Sequence, residues 1–377
     1  MWRIAFIGWL LLGSVFTASA AVPGYRPTDP NFVVLSVGDA ATQARLSRLR
    51  EAAEAADADS AAVAEYVEAL ITLGRRTGIE RYFGHAEAAL ANSRSTAPQL
   101  QVLRAEVLQY RHDFVGAEQI VSAVLVNAPR DVAARLMRAQ LRVQLGRADA
   151  ARPDCVALTT LVDVLTSTTC LAQAHSQSNL PHAYSMLSAV LQTQTSTVAV
   201  RSWSAGIAAE FAARLGDGKA AEQWYREALQ LDAESHYPRI AYADWLLAQG
   251  RRGDALRVAA RGASMADRLR VALAEDDVHS VTAKQLQLAW AEAGQRGERG
   301  QLRDQARFEL DVLRDAKRAH RTALDNFTDR RDPEDALLLA ATATAMGDQA
   351  ALQQVRQWQT QRSYRDARLD GYWVAQR

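Results

Sequence analysis

Small residues recur at a fixed interval between longer runs of apolar and polar positions. Ala221 is followed by Ala255, and Gly216 by Gly250, in each case after 34 residues. The first copy reads "LGDGKAAEQWYREALQLDAES" from 215 to 235, with a glycine at a turn and small residues where two paired helices would cross. Bulky side chains at those crossings would hold the helices apart. The pattern therefore predicts helix pairs that repeat along the chain.

A period of 34 residues is the length of the tetratricopeptide repeat, a helix-turn-helix unit. The copy that ends at Ala233 resembles the second half of that family's consensus at Gly216, Ala221, Tyr225, Ala228, Leu229, Leu231 and Asp232. An earlier copy around Ala117 resembles it too, and Pro129 stands just beyond its second helix, where a missing backbone N–H is harmless. The segment "LGRRTGIERYFGHAEAAL" looks like the opening unit of exported proteobacterial tetratricopeptide proteins.

The resemblance implies an all-α fold, a right-handed α-α superhelix of about eight helix pairs that forms a tetratricopeptide-repeat solenoid. We predict five segments: a cleavable signal peptide at 1–20, an extended lead-in at 21–39, an N-terminal capping helix at 40–58, the solenoid with degenerate units at 59–361 and a C-terminal tail at 362–377. The tail is expected to fray, because chain ends are often poorly ordered. The alternative is a docking segment that uses Tyr372 and Trp373.

The first twenty residues have the layout of an export signal. Arg3 precedes an apolar run from Ile4 to Phe16, and the sequence "ASA" at 18–20 matches a cleavage site. The run is shorter than the roughly 20 residues that a membrane-spanning helix needs. We therefore predict export to a bacterial periplasm, with secretion as the alternative, and no membrane span in the mature chain.

Composition and charge narrow the classes of partner. The 377 residues are 49% hydrophobic and 23% charged, which is ordinary for a globular protein. Loss of Arg3 with the signal leaves 43 basic residues against 43 acidic ones. A protein that tracks nucleic-acid phosphates normally carries a basic excess or stripe. Nucleic acid is therefore not an expected partner.

Cys155 and Cys170 are the two cysteines of the chain. An even pair in an exported protein is a candidate disulfide. Two buried free thiols are the alternative, because a sequence does not show whether the Cα atoms lie within bonding reach. No further ligand residues accompany the pair, so a zinc site is not expected.

No motif for catalysis or for a cofactor is present in the sequence. The histidines form no H-E-x-x-H pair, and the cluster from Glu275 to Asp277 with His279 has the pattern of a solvated turn. The segment "GQRGERG" from Gly294 lacks the G-x-x-x-x-G-K-[ST] spacing of a phosphate loop. We therefore predict that the protein is not an enzyme and binds neither a cofactor nor a metal.

The resemblance also implies where a partner would bind. In tetratricopeptide proteins the first helix of each unit lines a concave groove for a peptide or protein. Carried over where the register is firm, those positions give candidate groove residues Glu106, Tyr110, Gln140, Gln144, Trp203, Glu210, Arg214, Tyr237 and Asp244. The alternative role for each of them is packing between helices.

The sequence is compatible with three functions. The first is a periplasmic scaffold or adaptor that binds a protein segment in the groove. The second is an envelope enzyme with an unrecognised site on the helical scaffold, and the third is a structural protein that pairs with itself. Nothing in the sequence identifies the partner.

Overall fold

The computed structural model describes residues 40–55, 59–295 and 301–374. The predicted signal peptide and extended lead-in lie outside the described residues. Contacts divide the chain between Ala44 and Arg45, and the residues from Arg45 onward form one compact unit.

The described part of the chain contains twenty α-helices and no β-strand. In chain order they are α1 (Ala40–Glu54), α2 (Ser60–Thr77), α3 (Glu80–Asn92), α4 (Pro98–Tyr110), α5 (Phe114–Asn127), α6 (Val132–Gln144), α7 (Ala148–Leu158), α8 (Val164–His175), α9 (Leu180–Thr193), α10 (Val198–Arg214), α11 (Gly218–Leu231), α12 (His236–Ala248), α13 (Arg252–Ala259), α14 (Met265–Glu275), α15 (Val281–Gln295), α16 (Leu302–Asp311), α17 (Ala316–Asp329), α18 (Pro333–Met346), α19 (Gln349–Gln361) and α20 (Ala367–Val374). The predicted all-α class is confirmed. Within these ranges no helix combines the length and apolarity that a bilayer crossing requires.

The helices pack in adjacent pairs from α2 and α3 to α18 and α19. Each even-numbered helix from α2 to α16 also contacts the next even-numbered helix, and comparable contacts do not join successive odd-numbered helices of the described chain. In a curved stack the inner elements lie closest together. The even-numbered helices therefore form the inner face, an arrangement consistent with an α-solenoid.

The glycines that mark the 34-residue period occupy left-handed turns. Gly216 and Gly250 follow α10 and α12 with φ of 79° and 70°. Glycine adopts this conformation without the steric penalty that a Cβ imposes. His112 and Arg314 take the same conformation after α4 and α16, with φ of 63° and 58°. The turn is thus kept in copies that have lost the glycine, which explains why the sequence period weakens there.

The small residues of the period lie where helices cross. Ala117, Ala151, Ala221 and Ala255 are all fully buried. Gly262, which stands in the place of Ala228 of the preceding copy, has a second reason to be small. A Cβ on Gly262 would lie 2.1 Å from the Asp267 carboxylate. That buried carboxylate caps the start of α14 and accepts a hydrogen bond from Arg239.

Aspartate begins many of the helices. The Asp217 carboxylate accepts a hydrogen bond from the backbone N–H of Ala220 at 3.0 Å, which satisfies one of the unpaired donors at the start of α11. The same cap is made by Asp59, Asp113, Asp131, Asp163, Asp315 and Asp348. These caps fix where each helix starts and so help to fix the turns between pairs.

Cys155 of α7 and Cys170 of α8 form a disulfide, with an S–S distance of 2.00 Å and a Cα–Cα distance of 5.4 Å. Both residues are buried. The predicted pairing is confirmed, and the alternative of two free thiols is wrong. The bond ties an outer helix to the inner helix of the next pair.

The C-terminal residues form structure where the sequence favoured a frayed tail. Helix α20 contacts α18, and its Leu369 is fully buried. Tyr372 and Trp373 are half-buried against the apolar cluster of α18 and α19. The described part of the tail therefore belongs to the packed unit.

Candidate functional site

All nine candidate groove residues lie on even-numbered helices, which form the inner face. They are Glu106 and Tyr110 on α4, Gln140 and Gln144 on α6, Trp203, Glu210 and Arg214 on α10, and Tyr237 and Asp244 on α12. Gln140 is half-buried and Gln144 is exposed. The other seven candidates make different numbers of contacts with residues of the same chain, and these contacts determine how accessible each side chain is.

The two candidates on α4 pack against neighbouring helices. The Tyr110 ring is stacked on the Phe83 ring of α3, with centroids 3.5 Å apart and planes inclined by 5°. Burial raises the pKa of the Tyr110 phenol. Glu106 forms an ion pair with Arg75 of α2 at 3.1 Å. At α4 the structure thus uses these side chains for packing between helix pairs.

Glu210 and Tyr237 join α10 to α12 on the inner face. The Tyr237 hydroxyl donates a hydrogen bond to the Glu210 carboxylate, and Tyr237 is still 59% exposed. Burial, with a smaller contribution from the charge of Glu334, raises the pKa of Glu210 to about 7, although the Tyr237 hydrogen bond, Arg214 and Arg368 act in the opposite direction. The pair therefore presents an accessible aromatic ring beside a carboxyl that is easily protonated.

Trp203 and Asp244 are the remaining candidates on α10 and α12 that lie near the Glu210–Tyr237 pair in sequence. Trp203, two turns before Glu210 on α10, is half-buried and packs against the apolar cluster to which α8 to α13 contribute. Asp244 receives hydrogen bonds from Arg270 at 2.7 Å and from Arg307. Burial would raise the pKa of Asp244, but the two guanidinium groups outweigh burial and lower the pKa to about 2. Asp244 is thus a link between α12, α14 and α16.

Arg214 is engaged by the C-terminal part of the chain and is only 9% exposed. Its Nε donates to the Arg365 carbonyl at 3.0 Å, and its Nη2 donates to the Ser176 carbonyl at 3.2 Å. The guanidinium carbon lies 4.4 Å from the centre of the Tyr364 ring. Arg214 therefore does not lie on an open groove.

Further contacts join the first helix pairs of the unit to later ones. The Gln301 amide donates to Glu80 at 2.7 Å, and the His112 imidazole lies 3.6 Å from the Asp332 carboxylate. Helix α12 contacts α2, and a Cβ on Gly78 would lie 2.5 Å from the His236 ring. Residues beside the turns after α2 and α4 thus contact residues at the starts of α12, α16 and α18.

Sequence reasoning missed the residues that come to α10 from the far end of the chain. Tyr364, Asp366 and Arg368 lie there, and Arg368 donates to Glu334 at 2.9 Å and to Asp366 at 2.7 Å. The signal that could have found them is the apolar content of "SYRDARLDGYWV", where Tyr364 and Leu369 are buried.

The acidic turn after α14 is held by arginines. Asp276 pairs with Arg314 at 2.5 Å and also with Arg252. Among the residues that the structure describes, no group of three or more His, Cys, Asp or Glu side chains is close enough to hold a metal ion.

Comparison of the chain with models of known protein families and with curated proteins finds no match.

Proposed function

We propose that the protein is a non-enzymatic scaffold or adaptor of the tetratricopeptide-repeat type, exported to the bacterial periplasm, that binds a protein segment on the inner face of α10 and α12. The observation that carries this proposal is the Tyr237 side chain, which remains 59% exposed while its hydroxyl is fixed by Glu210. An aromatic ring held in this way buries a large area on binding and loses little side-chain freedom.

Two further observations support the proposal. Trp203 lies on the same helix as Glu210 and adds a second partly accessible aromatic side chain. The Cys155–Cys170 bond is compatible with an oxidising compartment such as the periplasm. The balance of 44 basic against 43 acidic residues gives no reason to prefer a nucleic acid over a protein as the partner.

The test is photo-crosslinking in the envelope of the producing cell, with a photoreactive residue at Tyr237 and, separately, at Gln223. Gln223 is an exposed residue of the outer helix α11. A discrete adduct is expected from Tyr237 but not from Gln223. With the probe at Tyr237, Trp203→Ala should reduce the adduct, and Gln223→Ala should leave it unchanged. Equal capture from both sites, or no capture from Tyr237, would contradict the proposal.

One observation favours a second candidate, an envelope enzyme. The pKa of Glu210 lies at about 7 because of burial and the nearby Glu334 charge, and a general acid or base is most effective when its pKa is near the working pH. Cleavage of cell-wall fragments by the purified protein, lost in Glu210→Gln, would support the enzyme over the adaptor. No cleavage by the wild type would reject the enzyme, and equal cleavage by the two proteins would reject Glu210 as its catalytic group.

A further inference from the structure

The exposed ring of Tyr237 lies beside a carboxylate that has no ion-pair partner. Glu210 accepts a hydrogen bond from the Tyr237 hydroxyl, and no basic side chain of the described residues forms an ion pair with it. A carboxylate that is withdrawn from water is costly unless a positive charge compensates it. Tyr237 is 59% exposed on the same inner face, so the surroundings of this carboxylate are open to a partner.

Glu334 brings a second carboxylate to the same place. It lies in the first turn of α18, and Arg368 donates to it at 2.9 Å. Arg368 is three residues after Arg365, whose carbonyl accepts a hydrogen bond from Arg214. Arg214 in turn lies one helical turn after Glu210 on α10. This series of contacts connects the two carboxylates, and the charge of Glu334 acts on the Glu210 carboxyl.

The positive groups of this neighbourhood are already engaged. Arg214 donates to two backbone carbonyls, and Arg368 is shared between the carboxylates of Glu334 and Asp366. With Glu210 included, two guanidinium groups face three carboxylates. One negative charge therefore has no positive counterpart within the group.

The surroundings of the Tyr237 phenol have the same sign. The curved inner face encloses Tyr237 although most of its ring still contacts solvent, and this partial burial is the largest cause of a raised phenol pKa. The charges of Glu210 and Glu334 and the neighbouring Tyr225 raise that pKa further. The face of an aromatic ring attracts cations, and nearby carboxylates strengthen the attraction. A positively charged group is thus the complement of this part of the inner face.

We propose that Glu210, Tyr237 and Glu334 form a binding site for a basic side chain of the partner protein, with its charge beside the two carboxylates and its stem against the Tyr237 ring. This inference rests on the proposed function, because it names the chemistry that the exposed tyrosine recognises in the bound segment. Guanidinium and ammonium groups donate charge-assisted hydrogen bonds to carboxylates and pack on aromatic rings. The contacts of Arg214 and Arg368 stay as they are.

Other kinds of side chain fit this site less well. An acidic side chain would add a negative charge to a group that already has one in excess. An apolar side chain would remove more water from Glu210 without compensating its charge, which is a cost. A basic side chain supplies both a counter-charge and hydrogen-bond donors.

The experiment measures how the purified full chain binds two matched peptides. The probe is a fluorescein-labelled peptide with the sequence Gly-Ser-Arg-Gly-Ser-Arg-Gly-Ser, followed by fluorescence anisotropy. In the control peptide citrulline replaces both arginines, which keeps the shape of the side chains and removes their charge. We expect the wild type to bind the arginine peptide about tenfold more tightly than the citrulline peptide. A lysine version should also bind more tightly than the citrulline peptide.

Substitutions in the site should weaken binding of the arginine peptide. Glu210→Gln and Glu334→Gln each remove one carboxylate, and Tyr237→Leu keeps an apolar side chain but removes the aromatic face. Each change should lower the affinity by about fivefold. Asp149→Asn is the matched control, because it removes one negative charge from an exposed position on the outer helix α7, and it should change the affinity by less than about twofold. Urea unfolding shows that each variant is folded.

Two results would overturn the inference. One is equal binding of the arginine and citrulline peptides, which includes no binding of either peptide at concentrations up to about 1 mM. The other is an effect of Asp149→Asn as large as those of Glu210→Gln and Glu334→Gln, because that result would indicate attraction to negative charge anywhere on the surface.

These outcomes are separable from those of the crosslinking test. With the photoreactive residue at Tyr237, Glu334→Gln should reduce the cellular adduct. An adduct that forms equally in the presence of Glu334→Gln would leave the proposed function standing and remove the basic side chain as its basis. Peptide binding that depends on both carboxylates, without a cellular adduct at Tyr237, would support the site and count against the adaptor function.

Discussion

The Tyr237 hydroxyl donates a hydrogen bond to the Glu210 carboxylate and so joins α10 and α12 on the inner face. Tyr237 is itself mostly exposed, so the same side chain both holds two helix pairs together and offers a contact surface. The structural role explains why the ring is fixed, and a fixed ring loses little entropy on binding a partner.

The stability of the protein should depend on pH through Glu210. Burial, followed by the Glu334 charge, raises the pKa of this carboxyl from 4.5 to about 7 in the folded state. Between about pH 4.5 and 7 the folded chain therefore binds more protons than the unfolded chain, and the contribution of Glu210 to the free energy of unfolding falls as pH rises. Glu210→Gln should be more stable than the wild type by about 1–2 kcal/mol at pH 8, allowing for partial exposure.

Urea unfolding at pH 4 and at pH 8 measures this difference, which should vanish at the lower pH. Tyr237→Phe is the matched control. The Tyr237 hydrogen bond lowers the pKa of Glu210, so its loss should raise that pKa and move the pH-dependent window upward. A Gln variant with the same pH profile as the wild type would show that Glu210 ionises normally.

Two glycine substitutions should have opposite effects on stability. At Gly216 a Cβ would meet no atom within 4 Å, so Gly216→Ala should cause no steric clash with neighbouring residues. Because φ is 79°, the substitution should still lower the free energy of unfolding by about 1 kcal/mol through backbone strain. Gly84, inside α3, also has open space around a Cβ and no positive φ. Gly84→Ala should stabilise the chain by about 0.5–1 kcal/mol, because alanine favours the helix. Thermal unfolding of the two variants shows whether each substitution raises or lowers stability. Destabilisation by Gly84→Ala would contradict the open space around a Cβ at that position.

The local part of the fold could be predicted from the sequence because its physical causes are local. A left-handed turn favours glycine at Gly216 and Gly250, and a close helix crossing favours alanine at Ala221 and Ala255, so both preferences recur along the chain. Where another residue tolerates the turn, as His112 does, the period fades although the structure persists.

The contact between Arg214 and the Arg365 carbonyl could not be predicted in this way. The two residues are 151 positions apart, and their meeting depends on the rotation accumulated over several helix-pair interfaces. The spacing of residues in the sequence does not show this accumulated rotation. The candidate residues all lie on even-numbered helices, whereas the contact of Arg214 with the C-terminal residues was not predicted.

Loss of the Asp154 carboxylate should be among the most damaging single changes. Asp154 of α7 is fully buried and accepts hydrogen bonds from Arg135, Arg138 and Arg142. Asp154→Ala would leave three neighbouring guanidinium groups without their common partner, at a cost of about 3–5 kcal/mol. The control is Asp149→Ala on the same helix, an exposed partner of Arg152, which should cost no more than about 0.5 kcal/mol.

Denaturant unfolding compares the two aspartate variants. Asp154→Asn keeps the size and part of the hydrogen bonding, so its stability should lie between those of the wild type and the Ala variant. Equal effects of Asp154→Ala and Asp149→Ala would show that the arginine cluster contributes little to the stability of α6 and α7.

The Cys155–Cys170 bond should contribute measurably to stability even though both helices already pack through apolar contacts. Cys155 and Cys170 are 15 positions apart, and closing a loop of that length lowers the entropy of the unfolded chain by an amount equivalent to about 3 kcal/mol. A reductant should lower the midpoint of urea unfolding of the wild type. A variant with both cysteines replaced by Ala should start at the lower midpoint and show no response to reductant. If reductant shifted the wild type and the double variant equally, the stabilisation would have a source other than this bond. Thiol labelling of the denatured, unreduced protein completes the test, because the bonded pair should leave no reactive thiol at either position.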